Sequence, residues 1–132
     1  MKTASMGTVV LLLIASLTMS CASTPEQEEY EVEHIFQNSL TETNRAAVDA
    51  LTVLGFEIEE TTNTYVQGHR PHKMGLFVGS GGETVGIWLE SISDLQTKVK
   101  VDTAKSFVGY VGQEDWDEEI IAEMEKFLAS GG

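Results

Sequence analysis

The alternation of hydrophobic and polar residues predicts five short strands, the first of which begins near residue 29. In four of the stretches apolar or inward-facing residues recur at every second position, which is the pattern of a strand with one buried face, and the third is a short strand stopped by Pro71. The five stretches are YEVEHIF, GFEIEE, YVQGHR, ETVGIWLES and TKVKVDT. The last two stand on either side of SISDLQ and predict the clearest hairpin of the chain. In the second strand of that hairpin we expect four side chains to point inward: Thr97, Val99, Val101 and Thr103.

Two other stretches carry apolar residues at helical spacing. Ser39 and Glu42 predict a capping box at the start of the first helix, and Gly55 is placed to end that helix in the left-handed conformation. Asp115 and Glu118 predict a second reciprocal cap at the start of the last helix. The apolar stripes are formed by Leu40, Ala47, Val48, Leu51 and Leu54 in the first helix and by Trp116, Ile120, Met124, Phe127 and Leu128 in the second.

The order of these elements, β-α-β-β-β-β-α, predicts an α+β fold. We expect two layers: a four- to five-stranded, mostly antiparallel sheet, with both helices on one of its faces. A chain of 132 residues is long enough for one domain of this kind. We place that domain at residues 29–132.

The first 20 residues carry a different pattern and are predicted to be a signal peptide. Lys2 precedes the short apolar run TVVLLLIASL, which small residues follow, and this is the order found in secretory signals. A membrane-spanning helix needs about 20 apolar residues, and this run is shorter. The segment is therefore expected to direct export.

The single cysteine, Cys21, stands directly behind this run, and no second cysteine exists for a disulfide. LTMSC resembles the lipobox of bacterial lipoproteins, although Thr18 and Met19 occupy positions where Leu and Ala or Ser are usual. The resemblance implies that a diacylglycerol is attached to the Cys21 thiol and that cleavage leaves this residue as the acylated N-terminus. Ala22, in place of aspartate, implies sorting to the outer membrane.

Residues 21–28 are then expected to form a flexible tether, because ASTPEQEE is polar, charged and contains Pro25. An alternative remains open. Small residues also stand at both positions that an ordinary signal peptidase inspects before Ser23, and a cut after Ala22 would release a free secreted acidic protein.

The charge balance narrows the classes of partner. Asp and Glu number 21 against 8 Lys and Arg, which gives a net charge of −13. Nucleic acids and anionic lipid surfaces are polyanions and repel such a chain. We therefore expect no nucleic-acid partner, and contact with the membrane only through the N-terminal lipid.

A glycine-rich stretch, GLFVGSGGETVG, resembles a phosphate-binding loop only in composition. It lacks the Gly-Lys-Ser/Thr ending of a P-loop, and a strand rather than a helix follows it. We predict a mobile hairpin loop. The alternative is that the loop closes over a partner, with Ser80 and Gly81 as candidate contacts.

The neighbouring stretch HRPHK places His69 and His72 three residues apart, but Pro71 prevents the helix that would align them on one metal. We expect neither a metal nor another cofactor, and no enzyme activity. The rival hypothesis is a metal-dependent or hydrolytic enzyme built from His69, His72 and the Gly79–Gly82 loop.

Trp88 is the most informative position outside the core. The alternation of VGIWL turns it away from the predicted core, and Lys98 and Lys100 point the same way on the neighbouring strand. Exposed tryptophan beside cations is typical of interface centres, so we predict a binding face or dimer contact here. The alternative is ordinary surface packing of lysine stems on the indole. Tyr110, in FVGYVGQED, is a second candidate contact unless it folds under the last helix.

Three long stretches, ALTVLGFEIEE, GGETVGIWLE and TKVKVDTAKSFVGYVGQEDWDEEII, resemble a group of small uncharacterised bacterial lipoproteins. The resemblance covers nearly all of the chain after the signal peptide, and that family brings no catalytic residues. It implies a non-catalytic binding or structural accessory of the cell envelope that faces the periplasm. Its expected partners are other envelope proteins.

Overall fold

The computed structural model of the protein describes residues 32–71, 82–104 and 115–131. These residues form seven elements: β1 (Val32–Phe36), α1 (Leu40–Val53), β2 (Glu57–Thr61), β3 (Tyr65–His69), β4 (Thr84–Ser93), β5 (Gln96–Ala104) and α2 (Asp117–Ser130). The predicted α+β fold and its β-α-β-β-β-β-α order are confirmed. Residues 1–20, residues 21–28 and Tyr30 lie outside the described ranges.

The five strands form one antiparallel sheet in the order β1-β5-β4-β3-β2. The β4–β5 hairpin is its longest pairing and lies at its centre, as the alternation predicts. β1 and β2 are the edge strands. On β2, three glutamates are exposed and the pairing register shifts between Ile58 and Glu60.

The hydrophobic core lies between the sheet and the two helices. From the inner face of the sheet it receives Val66, Val85, Ile87, Leu89, Val99 and Val101, and from the helices Ala47, Ala50, Leu51, Ile120 and Met124, all of them buried. Each fully buried Val, Leu, Ile or Met side chain contributes roughly 1.5–3 kcal/mol to the stability of the fold. Because the inner side chains alternate with outward ones, the opposite face of the sheet receives most of the charged side chains of the strands, together with Ile35, Tyr65 and Trp88.

Both ends of α1 form as the sequence predicts. The Ser39 hydroxyl accepts a hydrogen bond from the Glu42 backbone N–H (3.3 Å), and the Glu42 carboxylate accepts one from the Ser39 N–H (3.1 Å). Gly55, just past the helix, has a φ of 90°, a conformation that glycine adopts without steric penalty. This helix begins and ends through contacts close in sequence.

The predicted cap between Asp115 and Glu118 at the start of α2 is wrong. The N-cap is Trp116, and no side chain caps it. Asp115 instead accepts a hydrogen bond from the Asp117 backbone N–H (3.2 Å). The physical reason is tertiary: Trp116 is buried, which turns the first helical residue toward β5 rather than toward solvent.

Neither α1 nor α2, the helices of the described part of the chain, is long and apolar enough to cross a membrane.

Candidate functional site

The helices leave one face of the sheet uncovered, and we call it the outer face. Trp88 lies there on β4, directly opposite Lys100 on β5 and Tyr65 on β3. Lys98 lies two residues before Lys100, opposite Glu90. The structure therefore brings the three predicted residues together, and adds two neighbours that the sequence did not single out.

An aromatic pair forms the centre of the outer face. The rings of Tyr65 and Trp88 are 5.2 Å apart between centroids and inclined at 46°, within the range of favourable aromatic contacts. The Tyr65 hydroxyl donates to Gln67 (2.8 Å), whose amide donates to Glu59 (2.7 Å). Burial and the nearby carboxylates of Glu60 and Glu59 raise the pKa of Tyr65. The chain of hydrogen bonds fixes the orientation of the phenol ring.

Two ion pairs flank the aromatic pair. The Lys98 ammonium donates to the Glu90 carboxylate at 2.7 Å, and the Lys100 Nζ lies 3.9 Å from Oε2 of Glu33. The hydrogen bond and the charge of the partner raise the pKa of Lys98 and lower that of Glu90. Exposed pairs of this kind contribute little to stability, because solvent screens their charges. Their main effect is to fix charged groups around the rings.

A shallow depression opens beside Trp88. It has a volume of about 250 Å³, and its lining residues are Thr64, Trp88, Leu89, Glu90, Lys98 and Lys100. Pockets for small molecules usually measure roughly 300–1,000 Å³ and are largely enclosed. The depression is thus better matched to a single inserted side chain than to a free ligand.

A larger groove, of about 460 Å³, runs between α1 and α2 on the opposite side of the molecule. Its lining includes Glu42, Arg45, Asp49, Phe127 and Leu128. It contains none of the predicted site residues, and it is open to solvent along its length. Because it has neither a buried charge nor an aromatic pair, it offers little to orient a ligand.

A second group of residues, the junction cluster, lies where β3, β4 and β5 meet the start of α2. It consists of Arg70, Glu83, Thr103, Trp116 and Asp117. The guanidinium of Arg70 lies 4.6 Å from the centroid of the Trp116 ring, and its Nη1 is 4.0 Å from Oε1 of the fully buried Glu83. The Trp116 ring also meets Phe56 edge-on at 5.6 Å.

Asp117 is the least expected member of this cluster, because an acid at a helix start is usually solvated. Only 5% of it is exposed. Its Oδ1 accepts a hydrogen bond from the Thr103 hydroxyl, which in turn accepts one from the Trp116 backbone N–H at 3.1 Å. Burial, followed by the carboxylates of Asp115 and Asp102, raises the pKa of Asp117 to about 7. The inward position of Thr103 was the only sequence signal for this contact.

The remaining candidates give no further geometry. Nδ1 of His69 lies 3.1 Å from the Thr84 hydroxyl. Within residues 32–71, 82–104 and 115–131, no three His, Cys, Asp or Glu side chains are arranged to hold a metal ion. The other predicted residues lie outside the described ranges; they are Cys21, His72, Gly79, Ser80, Gly81 and Tyr110.

No family model matches the sequence, and no curated protein matches it. The likeness to small lipoproteins therefore stays a prediction, and function is inferred from the outer face.

Proposed function

We propose that the protein is a non-catalytic binding module of the cell envelope, anchored by lipid at Cys21 and facing the periplasm, that docks a partner protein on its outer face. The observation that carries the proposal is the Tyr65–Trp88 pair, which lies between two ion pairs on the face of the sheet that the helices do not cover. An aromatic centre inside a rim of charged groups is the usual anatomy of a protein interface, and tryptophan and tyrosine dominate interface energetics.

Charge indicates the kind of partner. In both ion pairs the acid is the more exposed member: Glu90 and Glu33 are 68% and 50% exposed, against 28% for each lysine. The whole chain carries a net charge of −13. An approaching surface therefore meets mainly carboxylates around the rings. The complementary partner is an envelope protein that presents basic residues around one apolar side chain, which enters the depression beside Trp88.

The tether is long enough for this arrangement. Cys21 is about 11 residues before the start of β1, and an extended segment of that length spans at most about 40 Å. A lipid on Cys21 would hold the domain near the membrane while leaving it free to turn the outer face toward a partner.

The first test is site-specific photo-crosslinking in a bacterial host that exports the full chain. The photoreactive residue replaces Ile35, which is 47% exposed on the outer face opposite Lys98. The matched control places it at Val53, 63% exposed at the end of α1. We expect one discrete adduct from position 35 and none from position 53, and we expect Trp88→Ala to reduce the yield at position 35 about tenfold, as for an interface hot spot.

Thermal unfolding of the Trp88→Ala protein provides the folding control, since Trp88 is only partly buried. An adduct that forms equally at positions 35 and 53, or that survives the Trp88→Ala change, would contradict the proposal. An adduct of twice the mass of the chain would also contradict it, because it would identify a second copy as the occupant.

A further inference from the structure

The contact between the start of α2 and β5 depends on one buried carboxyl group. The Thr103 hydroxyl has a single proton, which it donates to Asp117, while its oxygen accepts the Trp116 backbone N–H. Through this chain, one β5 side chain holds both the N-cap residue and the first residue of α2. The arrangement persists only as long as Asp117 stays inside the protein.

We propose that Asp117 is a proton-controlled latch that holds the first turn of α2 on β5 when its carboxyl is neutral and releases that turn when it is charged. On ionisation the proton leaves to water, and the carboxylate follows it toward solvent. This inference is independent of the lipid anchor and of the outer face.

The surroundings of Asp117 favour its neutral form. From the preceding segment, Asp115 contacts its backbone N–H, and from β5 the nearby charge is that of Asp102, so both neighbours are acids. Within the described residues Asp117 forms no ion pair. Burial beside two carboxylates penalises a third negative charge and outweighs the Thr103 hydrogen bond, which favours the carboxylate. The resulting pKa of about 7 places the change of charge near neutral pH.

Of the described charged groups at this end of the molecule, Arg70 contacts Trp116. Arg70 lies over the indole face, and Glu83 is next to Arg70. On the following turns of α2, Glu118 and Glu119 are exposed. From β1, Nε2 of His34 lies 3.5 Å from Oε1 of Glu125, further along the same helix.

Trp116 makes the first turn of α2 easy to release. Its indole Nε1 is buried, and no described residue accepts a hydrogen bond from it. A buried donor without a partner is destabilising, because it loses its hydrogen bond to water and gains none in return. Opening the turn lets this N–H reach water, which offsets part of the lost packing against Phe56. Ionisation of Asp117 is therefore enough to shift the equilibrium from the packed turn to the released one.

The test uses Trp116 as its own reporter. The chain has two tryptophans, so Trp88→Phe leaves Trp116 as the only tryptophan, whose emission is excited separately from that of the tyrosines. We expect its emission to move to longer wavelength, and its quenching by acrylamide to increase about two-fold, between about pH 6 and pH 8. The midpoint should lie near pH 7.

Three further variants in the Trp88→Phe background decide the origin of the transition. Asp117→Asn keeps an acceptor for Thr103 but has no charge, and it should abolish the transition. Asp115→Asn removes a neighbouring negative charge and should lower the midpoint by about half a pH unit or more. His34→Gln is the control for the imidazole that contacts Glu125 on the same helix, and it should leave the transition in place.

A transition that survives in Asp117→Asn, or that disappears in His34→Gln, would overturn the latch. So would constant Trp116 fluorescence across the interval in the parent protein. If Asp117→Asn does not fold, the midpoint in Asp115→Asn still decides, because an unchanged midpoint there contradicts an Asp117 origin.

Discussion

Asp117 combines two properties that are rarely compatible, since it is an acid at the positive end of a helix and yet lies inside the protein. The helix dipole and the Thr103 hydrogen bond favour its charged form, while burial and two neighbouring acids favour the neutral one and raise the pKa to about 7. Between about pH 4 and pH 7, the Asp117 carboxyl of the folded state therefore holds a proton that the unfolded state has lost. Stability from this group is complete below about pH 4 and declines as the pH rises through about 7.

The Asp117→Asn variant should separate this contribution from all others. Its free energy of unfolding should equal that of the parent protein at about pH 4. At about pH 8 it should be higher than that of the parent by about 1–2 kcal/mol, a figure that allows for solvent screening of the charge. Urea unfolding at the two pH values measures the difference. Asp94→Asn, on the exposed β4–β5 turn, is the matched control and should change neither value. Equal stability of parent and Asp117→Asn at both pH values would show that the carboxyl is solvated in the native state.

Trp88 shows how far single positions can be predicted. Its direction follows from alternation within one strand, so the sequence placed it and the two lysines correctly. Tyr65 could not be placed in the same way. Its position beside Trp88 depends on the register between β3 and β4, two strands that residues 70–83 separate in the sequence, and this register leaves no local periodic signal.

The two helices differ in what determines their first residue. The α1 cap is made by residues three apart, so its sequence pattern is sufficient. The start of α2 is fixed by Phe56, Arg70 and Thr103, which are distant in sequence from Trp116. The capping rule uses only residues that are close in sequence. It therefore predicts the start of α1 correctly and fails at the start of α2, because tertiary packing overrides the capping preference there.

The Ser39→Ala variant tests the local rule. It removes the acceptor for the Glu42 N–H and should lower the free energy of unfolding by about 1 kcal/mol, the usual effect of losing an N-cap. Ser39→Asp keeps an acceptor and should restore most of the loss. Ser130→Ala, at the exposed end of α2, is the control and should have little effect. A Ser39→Ala protein as stable as the parent would mean that packing alone fixes the start of α1.

The layout of the whole molecule was predictable because each level of the sequence pointed to it. Strand alternation, helical spacing and the order of elements all agree with two layers around one core. The role of the N-terminal segment is predicted from a different kind of pattern, which concerns export and lipid attachment rather than packing. Only chemistry on the mature protein tests it.

Intact mass spectrometry of protein extracted from membranes of a bacterial host is that test. We expect a chain that starts at Cys21 and carries a diacylglycerol with an added acyl chain. Cys21→Ala should abolish the added mass and move the protein out of the membrane fraction. A bare chain that starts at Ser23 would refute the anchor while leaving the outer-face proposal to be tested separately by crosslinking.

The acidic edge strand β2 acquires a particular importance if the domain is tethered. Lipid attachment confines neighbouring copies to a thin layer, where encounters between strand edges are far more frequent than in bulk solution. Glu57, Glu59 and Glu60 repel an identical edge, and the register shift beside them interrupts the row of hydrogen-bonding groups that another strand would follow. The same strand that closes the sheet thereby keeps crowded copies from joining into a continuous one.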